Sequence, residues 1–222
     1  SNAPLYRELK EYDKPTIYFY HMPDVSQSIV YGYVKGNVLS DRQSSYTSKL
    51  FTGYFGGDMS SLMFQEIREF RSYAYRVSGR YSQPPLKLAD KPGDFVTMFS
   101  TQSDKTLDAL AVLDWLIKDM PLRPERVSAV KQTILNTVNN EYPSFRKLSS
   151  KIAHYRRDGY ESDPNKSYLE NVLKLGIDDI SRFYEENIKG RPIVYVIVGN
   201  SKKINMKKLE EFGSIVKVSK KD

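Results

Sequence analysis

The stretch Tyr54–Ser78 constrains this chain more than any other, because within it the hydrophobic period changes from helical to strand-like. Gly56 and Gly57 break whatever helix precedes them, and Asp58 can cap a new one by accepting hydrogen bonds from its first free N–H groups. Apolar residues then fall at Met59, Leu62, Met63, Ile67 and Phe70, a helical spacing that predicts a buried stripe, with Phe64, Arg68 and Arg71 sharing another face. After Arg71, Tyr75, Val77, Gly79 and Tyr81 alternate against Arg76, Ser78 and Arg80, as a half-buried strand does. Arg68 is therefore expected late on a helix and Tyr75 at the start of the next strand. Such a junction can point a cationic fork and a phenol at the same place.

Around this stretch the pattern runs strands, then helices, then strands. Thr16–His21 and Gln27–Lys35 read as strands joined by a turn-rich Met-Pro-Asp-Val-Ser, which suggests a hairpin. A short helical segment from Ser45 leads to the glycine pair; Gln83–Gly93, with three prolines, reads as a loop, and Phe95–Gln102 as a further strand. Helices come next: one capped by Ser103 or Asp104, one starting near Pro124 and running to Tyr142, one from Ser144 that closes at Gly159, then Ser167–Leu175 and Asp178–Ile188. Ile193–Val198 is an unbroken apolar run that predicts a strand covered on both faces. A short basic helix near Met206 and a strand at Ile215–Val218 finish the chain. This order, without regular βαβ alternation, predicts an α+β fold, a largely antiparallel sheet with helices packed on one face.

At 222 residues the chain reads as one domain, 4–222, after Ser1, Asn2 and Ala3, which read as the remnant of a cleaved tag. No apolar run is long enough to span a bilayer, so a membrane span is not expected. The absence of cysteine excludes disulfides and thiolate metal sites, and fits cytoplasm and periplasm equally well. The net charge of +7 is spread, with Lys202, Lys203, Lys207, Lys208, Lys217, Lys220 and Lys221 gathered in the tail. Without an RNA- or DNA-binding motif, that reads as a solvated tail rather than a nucleic-acid surface.

The run G-G-D-M-S-S-x-x-F-Q-E-I-R followed by S-Y-A-Y-x-V resembles the C-terminal half of the pitrilysin/insulinase family of zinc metallopeptidases, which includes the mitochondrial processing peptidases. In that family a double glycine precedes a helical arginine, and a tyrosine follows the arginine by seven positions; Arg68 and Tyr75 have that spacing. Leu175–Ile188 and Ile193–Gly199 are similar to the family's late helix and the strand after it. Ser72 and Tyr73 depart from the pattern, standing where relatives usually carry smaller or glycine-like residues. The resemblance implies a processing-peptidase-like half-unit that pairs with a homologous, metal-bearing half, on the same polypeptide or a separate subunit, to enclose a chamber for a peptide substrate. It implies that Arg68 and Tyr75 bind substrate and stabilise the oxyanion, and that Gly56 and Gly57 border the chamber.

The family binds zinc through H-x-x-E-H on a helix, where two imidazoles one turn apart face the ion and the glutamate activates water. Neither histidine of this chain, His21 or His154, has a second histidine or a carboxylate at ligand spacing. No metal site or cofactor is therefore expected in the chain, with zinc expected in the complementary half. Three functions remain in competition. The first is the C-terminal domain of a zinc metalloendopeptidase; the second is a non-catalytic homologue acting as a peptide-binding or interaction subunit. The third, a nucleic-acid-binding domain, rests on charge alone.

Overall fold

Strand β2 (Gln27–Val38) shows how the alternation in the sequence lays out the molecule. Val30 and Val34 point into the core while Ile29 and Tyr31 stand exposed on the opposite face. The structure, a computed structural model, describes residues 8–39, 42–140 and 143–219, so Ser1–Ala3, Tyr142, Lys220 and Lys221 lie outside the described residues. With β1 (Thr16–His21), β3 (Ala74–Ser82), β4 (Pro92–Gln102), β5 (Val194–Gly199) and β6 (Ser214–Val218), β2 forms a six-stranded sheet of order β3-β4-β2-β5-β1-β6.

The sheet is mixed. β3, β4, β2 and β5 pair antiparallel in that order, whereas β1 runs parallel to both β5 and β6. The fold is α+β, as the element order predicts, but β1 and β2 do not form the expected hairpin, because β5 lies between them. Placing the apolar β5 there pairs its backbone on both sides instead of leaving it on an edge. The β1–β2 connection is pinned across the end of β5: Met22 N donates to Gly199 O (2.9 Å) and Asn200 Nδ2 to Pro23 O (2.5 Å).

The helices are α1 (Arg42–Thr52), α2 (Thr106–Lys118), α3 (Val127–Asn140), α4 (Phe145–Asp158), α5 (Pro164–Val172), α6 (Ile177–Asn187) and α7 (Met206–Leu209). Ser144 precedes α4 and Gly159 ends it at φ 100°, the left-handed conformation that glycine adopts without a Cβ penalty. α5 begins three residues before the expected Ser167, because Asp163 accepts a hydrogen bond from Asn165 N and Pro164 fills the first turn. The core forms between one face of the sheet and the helices. Phe51 of α1 meets Phe95 of β4 at 5.3 Å and Phe183 of α6 at 5.2 Å, and Phe55 meets Phe95 at 4.9 Å.

The other face of the sheet is partly open. Val196 in β5 is 38% exposed and Val198 half-buried, so the expectation that Ile193–Val198 is covered on both sides fails on this face. The segment before β1 covers one end: Tyr12 meets Tyr18 and Tyr33 edge-on at 6.3 Å each, Tyr33 donates its hydroxyl to Lys10 O, and Lys35 pairs with Glu11 at 3.0 Å. Burial of Tyr12, followed by its contact with Tyr18, pushes its phenol up to about 12. Beyond that strap Ile29, Tyr31, Val196 and Val216 remain exposed.

Candidate functional site

Arg68 and Tyr75 are brought together at the rim of the open face. Asp58 caps the turn after the glycines by accepting from Ser60 N (2.8 Å), and Leu62, Met63 and Ile67 enter the core as their spacing predicts. Phe64–Glu69 is wound as a π-helical turn, with Phe70 N donating to Gln65 O five residues back. Each such turn holds more residues than an α-turn and rotates the side chains beyond it. Phe70, expected on the buried stripe, is thus 61% exposed; Met59, which precedes the helix, is 71% exposed. Arg68 sits on this π-turn, its guanidinium carbon 4.5 Å from the Phe64 ring centroid and 5.4 Å from that of Tyr75. Its Nε is 3.6 Å from Glu69 Oε1.

Arg71 does not share that environment. Its Nη1 donates to Glu66 O (2.8 Å) and to Glu66 Oε2 (2.5 Å), while Arg123 holds the other carboxylate oxygen. Glu66 is buried, which would raise its pKa, but the hydrogen bonds from Arg71 and Arg123 outweigh burial and hold the carboxyl below its usual range. The Glu66–Arg71–Arg123 group fixes the π-turn to the segment that leads from α2 into α3 and leaves Arg68 free of Glu66. Ser72 then takes φ 52°, a left-handed turn that non-glycine residues seldom adopt, and Tyr73 N closes the junction on Ile67 O (2.9 Å).

Tyr75 owes its position to a β-bulge. Simple alternation groups it with Val77, Gly79 and Tyr81, the residues that β3 turns toward the helices. The register with β4 shifts between Ala74 and Arg76, which leaves Tyr75 as the extra residue, 75% exposed. Among the described residues its hydroxyl has no hydrogen-bond partner. With Arg68, Arg76, Ile29, Tyr31 and Met98 it lines an open concavity of about 1040 Å³ on the uncovered side of the sheet.

The glycine pair is placed elsewhere. Gly56 lies in a π-helical turn, Gly53–Gly57, packed on β3, where a Cβ would come within 2.3 Å of Gly79 N. Close backbone approach explains this glycine, and Gly57 beside it is exposed. Neither lines the concavity.

The sequence profile of the peptidase M16 inactive domain matches residues 2–120, which include the glycine pair, Arg68, the bulge and Tyr75. The chain belongs to the M16 peptidase family. Solved structures extend the likeness over nearly all of this M16 domain: a peptidase M16 inactive domain from Pseudomonas fluorescens (15% identity, TM-score 0.68, 90% of this chain and 47% of that one), a protease from Helicobacter pylori (14%, 0.68, 87% and 46%) and a putative zinc protease from Bordetella pertussis Tohama I (14%, 0.58, 77% and 93%). At these identities the likeness is one of fold. The M16 domain spans about half the length of the first two chains. No curated protein matches the sequence.

The histidines of this M16 domain do not fit a zinc ion. His21 ends β1 and faces Ser201, whose backbone N lies 3.1 Å from its Nδ1. His154, expected to lack a carboxylate at ligand spacing, has one: Asp158 follows it by one turn of α4 and lies 3.2 Å away, but Arg157 contacts the same imidazole and no third ligand among the described residues joins them. Among the described residues no three His, Asp or Glu side chains are grouped to hold a metal. Sequence reasoning missed Glu66 as a buried carboxylate. The available signal was its position four residues after Leu62, on the buried stripe itself.

Proposed function

We propose that this M16 domain is the non-metal-binding half of a zinc metalloendopeptidase, its open sheet face turned toward the peptide and Arg68 and Tyr75 acting on the scissile carbonyl. The zinc and its H-x-x-E-H helix would come from a homologous half, on the same polypeptide or a separate subunit. The observation that carries the reading is the pair itself: a guanidinium held over two rings beside a phenol whose hydroxyl has no partner among the described residues, both on the rim of an uncovered concavity. As the carbonyl oxygen gains negative charge, the Tyr75 hydroxyl donates to it and Arg68 supplies positive charge. Contact with Phe64 and Tyr75 limits the rotamers of Arg68, so little reorganisation is needed when charge develops.

The test is kinetic. In the complete peptidase, Tyr75→Phe and Arg68→Ala should each lower kcat by about 10² to 10³. Because such donors act in the transition state, kcat and kcat/KM should fall together, with zinc content and melting temperature unchanged. A surface ion pair such as Arg68–Glu69 contributes only about 0 to 1 kcal/mol of stability, so a merely structural Arg68 would leave turnover near wild type. The second reading, a non-catalytic homologue that binds peptide or partner chains on the same face, predicts an assembled protein that hydrolyses nothing yet binds peptide.

A further inference from the structure

We propose that Arg76 is a specificity residue of the open face, selecting peptides that carry an acidic side chain within one or two residues of the bond addressed by Tyr75. The proposal rests on the reading of this face as substrate-facing. A regular strand sends consecutive side chains to opposite faces, but the bulge between Ala74 and Arg76 lets Tyr75 and Arg76 line the same concavity. Arg76 is exposed, and among the described residues it has no ion-pair or hydrogen-bond partner. Opposite it on β4 stands Ser100, too small to cover a guanidinium, and beyond Ser100 comes Ile29 of β2.

The other charges of the concavity are accounted for. Arg68 lies 3.6 Å from Glu69, the one carboxylate among the lining residues, and Lys105 lies 3.6 Å from Asp108. Arg76 is therefore, among the described residues, the cation of the concavity with neither a carboxylate neighbour nor a role at the scissile carbonyl, and it lines the concavity with the Tyr75 phenol and the apolar Ile29 and Tyr31. A planar guanidinium takes a carboxylate through two parallel N–H bonds, a geometry that an amide or an ammonium cannot match. An extended peptide advances about 3.3 Å per residue, so an arginine adjacent in sequence to Tyr75 serves the positions next to the scissile bond.

Pairs of peptides that differ only by Glu against Gln at each position near the scissile bond test this, assayed with the complete peptidase and, in parallel, by equilibrium binding. The acidic peptide should be favoured roughly tenfold in kcat/KM and in affinity at one such position. Arg76→Gln should bring that ratio to about one, and Arg76→Glu should reverse it for a Lys-bearing peptide. Tyr75→Phe should slow both peptides equally and leave the ratio intact, which separates this inference from the catalytic reading. If nothing is cleaved, the catalytic reading fails and the binding ratio alone decides. A ratio near one in the wild type, or one unchanged by Arg76→Gln, would overturn the proposal.

Discussion

Glu66 is a carboxylate 3% exposed on a helical stripe otherwise given to Leu62, Met63 and Ile67, and the two arginines on it decide its protonation. Its folded-state pKa is lowered, so its contribution to stability is present above the unfolded value of about 4.5 and is lost as pH falls through the lower folded value. Glu66→Gln should therefore cost roughly 1.5 to 3 kcal/mol near pH 7 and progressively less below about pH 4.5. The partial exposure of Arg71 and Arg123, which lets them turn to water, keeps the loss in that range. Urea unfolding of both proteins at several pH values checks this, and a gap that does not shrink as pH falls below about 4.5 would contradict the assignment. At this scale the approach of Arg68 to Tyr75, 5.4 Å from guanidinium carbon to ring centroid, was legible from the helix-to-strand junction and the family resemblance in their spacing of seven. The exposure of Tyr75 was not, since a bulge adds a residue without changing the alternation that the sequence displays. Arg71 was misplaced for a related reason: the π-turn and the left-handed Ser72 rotate the side chains around them away from a regular helical face.

Whole elements were more legible than their neighbours in space. The strand and helix periods, the Gly159 stop and the late helix α6 could be read from residues alone. Strand order could not, because a short turn-rich connection between two apolar strands reads the same whether they pair directly or admit a third strand, here β5, between them. The same limit applied to the apolar run of β5, which looks the same whether its second face is covered within the chain or left open. The glycine pair offers a test at this scale. Gly56→Ala would put a Cβ against the β3 backbone, where no side chain can move aside, and should destabilise the protein by about 1 to 3 kcal/mol. Gly57→Ala meets Thr52 O at 3.2 Å, a contact that a small shift relieves, and should change stability by much less. Thermal melts of the two variants check the order, and equal losses would mean that the π-turn does not depend on the approach to Gly79.

For the molecule as a whole, the division between a helix-covered face and an open face explains the distribution of its residues. Phe51, Phe95 and Phe183 fill the first, while on the second Ile29 and Tyr31 stand with Arg68 and Tyr75, and Val196 and Val216 are exposed farther along the sheet toward its β6 edge. Large apolar side chains exposed on one face mark an interaction surface more often than a solvent-facing one. Under the function proposed above, this face looks onto a bound peptide in a complete M16 peptidase. The most direct measurement is a structure of this domain assembled with its metal-bearing half and a peptide held uncleaved. The Tyr75 hydroxyl is expected within about 2.6 to 3.2 Å of the scissile carbonyl oxygen, with the Arg68 guanidinium on the same side of the peptide. A peptide bound elsewhere, with the open face turned to solvent, would contradict it.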